Sequence, residues 1–273
     1  MEEMEREKTR EEMDFLSALP ECLLTAILSR TSPRDVCRSS AASKELRSVA
    51  ESDAVWERFL PSDHGDIISG LAYGPAAFST KKQLYESLTE IVLNVGERQR
   101  FKIDKGSGKK RVVLEARELA ITWGSVPEYW EWIRLPRTSM CRSSEVPEPP
   151  EERLFDLKGK IEARLLSPET TYVAYLMFKT WASYGSLGRA KTYVRFAGKK
   201  GDGYETTNIV NLEPAKSSHH LRKRTEGWME IALGEFFTGQ GDNGEVEIRL
   251  MEVEQGNWKG VISVQGIVLR PKV

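Results

Sequence analysis

Between residues 14 and 60 the apolar positions recur with a helical spacing, and from about residue 101 they alternate. In DFLSALPECLLTAILSR, Leu16, Leu19, Leu23, Leu24, Ile27 and Leu28 return at steps of three, four and one, which gives one apolar face. A second helix is announced by SPRD, with Ser32 as N-cap, Pro33 at the first helical position and Asp35 in the capping-box place. A third begins at Asp53 in SDAVWERFL and buries Val55, Trp56, Phe59 and Leu60. Residues 61–100 open with PSDHGDIISGLAYGPAAFS and close with TKKQLYESLTEIVL, where Leu84, Leu88, Ile91 and Val92 share a face. This reads as a connecting segment with a docking helix.

Beyond it the period is two. In FDLKGKIEARL, Phe155, Leu157, Gly159, Ile161, Ala163 and Leu165 alternate with Asp156, Lys158, Lys160, Glu162 and Arg164, so one face is buried and the other wet. KTYVRFAG puts Thr192, Val194 and Phe196 on one side, and TYVAYLMFKTW is apolar on both faces, as a central strand would be. EVEIRLMEVE alternates through Val246, Ile248 and Leu250, then shifts parity at Met251 before Val253; VISVQGIVLR switches near Gly266. Both breaks predict bulges or bends. Turn signals in KGSGKK, GKKGDG and GQGDNGE separate the runs. The expected fold is α+β multidomain: a charged tail over 1–13, a small helical unit over 14–60, the connecting segment over 61–100 and an antiparallel β-sandwich over 101–273.

Composition narrows the function classes. The formal net charge is −1, which gives no global electrostatic reason for a nucleic-acid or anionic-membrane partner. No run of about 18 apolar residues predicts a membrane-crossing helix, and MEEMEREKTREEMDF has no apolar core of a secretory signal. Cys22, Cys37 and Cys141 are odd in number and far apart, which argues against a disulfide framework and for a reducing compartment, the cytosol or nucleus. His64, His219 and His220 have no Cys or carboxylate at ligand spacing, so no metal site is expected. No Ser/His/Asp or Cys/His signature can be assembled. Glu151 and Glu152 lie in the loop-like EVPEPPEE and do not read as a glycosidase pair. No catalytic residue and no cofactor is expected.

The conspicuous chemistry is aromatic. ITWGSVPEYWEWIRLP places Trp123, Trp130 and Trp132 beside Tyr129, Glu128 and Glu131. Flat apolar walls with a few polar anchors suit a small-ligand site; the same tryptophans also suit a sandwich core. Trp181, Trp228 and Trp258 sit in or beside strand-like runs and read as core.

LPECLLTAIL, SPRDVCRSSAASKELRSVA and SDAVWERFLP resemble an F-box: a Leu–Pro start, a middle Asp–Val and a closing tryptophan helix. GKKRVVLEARELAITWG, YWEWIRLP, GKIEARLLSPETTYVAYLMFK, GWMEIALGEFF, GEVEIRLMEVEQGNWKG and VQGIVLRPK resemble phloem protein 2 and the Nictaba-type lectins. The order is similar to the plant F-box/lectin proteins. That resemblance implies a substrate-recognition subunit of an SCF-type cullin–RING ubiquitin ligase, itself non-catalytic. It implies that a Skp-type adaptor meets Leu19, Pro20, Leu23, Ile27, Leu28, Val36, Cys37 and Trp56, which stand at or behind the contact. It also implies that Trp123, Trp130, Trp132 and Glu131 form a carbohydrate site for N-acetylglucosamine-containing glycans on target proteins. Two alternatives stay open: a protein-binding adaptor that takes no sugar, and a lectin whose F-box is vestigial. The stretch NLEPAKSSHHLRKRTEGW departs from the lysine-rich loop of the lectins through His219 and His220. It reads as a solvated loop, a nuclear-import signal or a target contact.

Overall fold

The computed structural model describes residues 19–69, 78–95, 99–122, 130–134, 143–147, 156–181, 188–197, 205–212, 221–224, 227–253 and 261–272. Its contacts divide the chain into two units, one holding residues 1–93 and 102–110, the other 94–101 and 111–272.

Six helices build the first unit among the described residues: α1 (Glu21–Leu28), α2 (Pro33–Ser39), α3 (Lys44–Ala50), α4 (Asp53–Trp56), α5 (His64–Ser69) and α6 (Lys81–Glu90). Hydroxyl caps start four of them. Ser32, Ser43, Ser52 and Thr80 accept from the amides of Asp35, Leu46, Ala54 and Gln83 at 3.1–3.3 Å, each satisfying an N–H that the helix leaves open. The Ser32–Pro33–Asp35 start is as expected. The first described helix begins at Glu21 behind Pro20, whose ψ of 142° lies outside the helical region while its ring holds φ at −55°. Where three short helices were expected there are four, α3 being the addition; Ser43, Leu46, Val49 and Ala50 carried its signal.

The core of this unit closes on Trp56, 1% exposed, whose indole N–H donates to the Ala50 carbonyl at 2.6 Å. Its ring meets Phe59 edge-on at 5.8 Å and Tyr85 at 5.1 Å. Leu84, Tyr85 and Leu88 are the buried face of α6. Ile91 and Val92 do not extend that face: Ile91 has already turned to extended backbone, and Val92 is 46% exposed. A turn between strands completes the packing. The Tyr85 hydroxyl lies 3.2 and 3.1 Å from the carbonyls of Asp104 and Lys105, and Lys110 pairs with Asp63 at 2.6 Å while almost enclosed. Gly108, at φ +71°, lies so close to the Phe59 carbonyl that a Cβ would sit 2.8 Å from it.

The strands are β1 (Leu93–Val95), β2 (Gln99–Ile103), β3 (Lys110–Glu115), β4 (Ala120–Ile121), β5 (Trp130–Arg134), β6 (Ser143–Pro147), β7 (Asp156–Glu162), β8 (Thr170–Trp181), β9 (Arg189–Phe196), β10 (Glu205–Asn211), β11 (Leu221–Lys223), β12 (Met229–Thr238), β13 (Glu245–Glu252) and β14 (Val261–Pro271). One sheet has the order β1-β2-β3-β14-β8-β12-β11, with the β5–β6 hairpin joined to β14; the other runs β10-β9-β13-β7-β4. The pairs β10–β9, β12–β8, β13–β7, β13–β9 and β14–β8 are antiparallel. β8 is central, and Tyr172, Ala174, Leu176 and Phe178 are fully enclosed while Val173 is buried on its other face. From the opposite sheet Leu157, Ile161, Val194, Phe196, Val246, Ile248 and Leu250 enter the core, as alternation requires. The core is tightly filled at Gly159, where a Cβ would stand 3.1 Å from Ile267 and Leu119 and 3.2 Å from Leu114.

One expected bulge is present and one is not. β14 shifts register against β8 between Val264 and Gly266, where φ is +148° and a Cβ would fall 2.2 Å from the Leu114 carbonyl. β13 keeps register with β7 and β9 throughout, up to Glu252 opposite Ala190. The inward place after Leu250 is therefore filled by Glu252, 6% exposed, and Val253 is 40% exposed. The parity break in the sequence reflects a buried acid opposite a small residue, not a slipped strand.

Candidate functional site

α1 turns Leu24 and Leu28 inward, at 3% and 4% exposure, and leaves Leu23 and Ile27 at 49% and 50%. The latter are four residues apart, hence neighbours one turn apart on the helix surface. Six large apolar side chains are exposed among the described residues, and two of them stand on this single helix, which marks it as the unsealed part of the bundle. Pro20, Cys22 and Cys37 are also exposed, and Leu19 is half-buried. Leu28, Val36 and Trp56 are sealed inside. The eight residues thus separate into an exposed set of Pro20, Leu23, Ile27 and Cys37, with Leu19 at its margin, and a buried set of Leu28, Val36 and Trp56 beneath. Periodicity alone could not make that division, because Leu23 and Leu24 are both apolar.

The aromatic cluster is described only in its backbone at residues 130–132; Trp123 and Glu128 lie outside the described residues. β5 carries Trp130, Glu131 and Trp132 and pairs with β6 in the register Trp130 to Pro147, Glu131 to Val146 and Trp132 to Glu145. β6 is tied in turn to β14 at Val264. Trp228 is 9% exposed, in keeping with a core role, whereas Trp258 lies outside the described residues.

Two acids are enclosed on sheet faces. Glu230 on β12 is fully buried and accepts from Arg224 at 2.8 and 2.6 Å and from Arg270 at 2.9 and 2.5 Å; Arg270 also stacks over Tyr175 at 4.7 Å. Burial alone would raise the Glu230 pKa, but the hydrogen bonds and charges of the two arginines hold it below the usual carboxylate range. Glu247, 4% exposed, has the same opposition between burial and its partners Lys158 and Arg195, again with a net lowering. Arg224 belongs to the basic stretch that the sequence left as loop, import signal or contact; its guanidinium is engaged by Glu230, while Arg222 and Lys223 stay exposed on β11.

His64 accompanies the Pro61 carbonyl at 2.9 Å and Glu57 at 3.4 Å. No group of three or more His, Cys, Asp or Glu able to hold a metal occurs among the described residues, and among them no helix is long and apolar enough to cross a membrane.

Residues 109–271 match the phloem protein 2 family, and residues 16–62 match the F-box-like family. The chain belongs to the phloem protein 2 family and carries an F-box. The putative F-box protein PP2-B12 of Arabidopsis thaliana is 40% identical over 263 residues, covering 95% of this chain and 99% of its own. F-box protein PP2-B15 of the same plant is 38% identical, over 93% of this chain and 96% of its own. The F-box match spans α1 to α4, and the phloem protein 2 match spans most of the two sheets. Among solved structures, the CBM27-1 module of Caldicellulosiruptor saccharolyticus in complex with mannohexaose covers 59% of this chain and 97% of its own, at 15% identity and a TM-score of 0.34. A likeness that slight carries no functional argument.

Proposed function

We propose that this F-box/phloem protein 2 chain is the substrate-recognition subunit of an SCF-type ubiquitin ligase. The observation that carries the reading is the exposed Leu23–Ile27 pair on a helix whose Leu24 and Leu28 are sealed. A Skp-type adaptor covering that pair would remove the remaining apolar area from water, contributing about 1 kcal/mol for each half-exposed side chain. The β unit would hold the target, and ubiquitin transfer would rest with other subunits, this chain acting by raising local concentration.

The test is binding of the full chain to a Skp-type adaptor. Leu23→Asp places a charge in the covered contact and is expected to weaken binding about 30- to 700-fold, or about 2–4 kcal/mol. The melting temperature should hold, because the residue is half in water already. Equal binding by wild type and Leu23→Asp removes the ligase reading.

For the target side we propose a glycan surface formed by Trp123, Trp130 and Trp132 with Glu131. Support comes from the family and from two tryptophans two positions apart, hence on one face, of a five-residue strand. N-acetylglucosamine oligomers on a glycan array are the probe; Trp130→Ala should lose about five- to twelvefold, an aromatic contact of about 1–1.5 kcal/mol. Undiminished binding by the variant assigns the sugar to another surface.

A further inference from the structure

The β unit contains a groove of about 410 Å³, within the range of small-ligand sites, lined by Val173 of β8, Ala232, Gly234 and Glu235 of β12, and Asn208, Ile209 and Val210 of β10. Val173, Ala232, Ile209 and Val210 give it aliphatic surface, with Ile209 63% exposed at its side. The Asn208 amide nitrogen donates to the Leu233 carbonyl at 3.2 Å, which leaves its oxygen and one N–H to a ligand. Glu235, the one charge in the described lining, supplies carboxylate oxygens. Aliphatic surface beside a carboxylate complements a ligand with a greasy stem and a cationic, donor-rich head. A lysine or arginine side chain has that build.

The carboxylate already shows this preference within the chain. Lys272 donates to Glu235 at 2.6 Å, both side chains being about half exposed. Such solvent-exposed pairs hold weakly and exchange partners readily. We propose that the groove docks an extended segment of a target protein, seating a lysine or arginine stem on Val173 and Ala232 and its head on Glu235 and Asn208, with Lys272 as the internal competitor. The proposal rests on the receptor reading for its consequence, target capture, but not for its binding chemistry.

The experiment is calorimetric titration of the full chain with three blocked peptides, Thr-Val-Lys-Val-Thr, its arginine counterpart and its norleucine counterpart. The basic peptides are expected to bind at least tenfold tighter than the norleucine peptide. Glu235→Gln should erase that difference, and Ala232→Phe, which fills the trough, should abolish binding. Lys272→Ala should tighten binding of the basic peptides severalfold by removing the competing ammonium; a purely structural role for Glu235 would not produce that gain. Equal affinity for all three peptides, no binding at millimolar concentration, or competition by chito-oligosaccharide in place of peptide each overturns it. Adaptor binding, measured on the same protein, reports separately on the ligase reading.

Discussion

Single side chains in this protein divide sharply into those that hold and those that meet. Trp56 holds. Replacing it with alanine removes a fully enclosed ring and its bond to Ala50, and should cost about 3–5 kcal/mol. Hydrogen exchange over residues 19–60 should show the loss as protection falling there first. Glu230 holds through charge. Its pKa is lowered in the folded state, so below about 4.5, the unperturbed value, the unfolded chain takes up the proton first. The stabilisation is complete above that pH and is lost as pH falls through the folded value. Glu230→Gln should therefore lower stability near neutrality by about 1.5–3 kcal/mol and flatten the acid limb of the urea-melt profile. Its burial was not legible in the sequence, where GWMEIALGEFF offers Glu230 as an ordinary outward residue; enclosure comes from Arg224 and Arg270, which are 6 and 40 positions away.

At the scale of elements, period and punctuation carried most of the fold. The central β8, the inward faces of β7 and β9 and the bulge in β14 could all be read from alternation and from one glycine. Gly266→Ala tests the last of these: with a backbone oxygen 2.2 Å from the new Cβ and φ at +148°, the β14–β3 pairing must open, at about 3 kcal/mol or more. A thermal melt checks it. Gly159→Ala should cost less, about 1 kcal/mol, because its neighbours are the mobile ends of Ile267, Leu119 and Leu114. What stayed hidden were features fixed by partners distant in sequence. The continuous register of β13 depends on β7 and β9 together, and the short α3 depends on α1 and α2 to cover Leu46. The eight residues could be named as a set from the F-box pattern, but which of them are exposed and which are buried needed the packing. The groove beside β10 gave no signal, since Asn208 and Glu235 are 27 positions apart and carry no spacing rule.

For the molecule as a whole, the telling fact is where the helical unit ends. The family matches leave residues 63–108 unassigned between them, and that interval supplies α5, α6 and the turn that packs on Phe59 and Tyr85. A chain ending at residue 100 keeps the six described α-helices but loses the partners of Tyr85 and Asp63 and the cover over Phe59. It should melt lower and less cooperatively than a chain ending at 115, by far-ultraviolet circular dichroism. Equal melting curves would show that the turn adds nothing.

Gly108 gives that boundary a practical meaning. Anyone transplanting the N-terminal end onto a different receptor would be tempted to cut where the helices stop. The graft would then leave behind the short turn whose glycine nestles on the Phe59 carbonyl. A workable chimera must carry the donor's own residues 102–110 and make its joint inside the two strands, so recombination between relatives is cheapest where both parents share that hairpin.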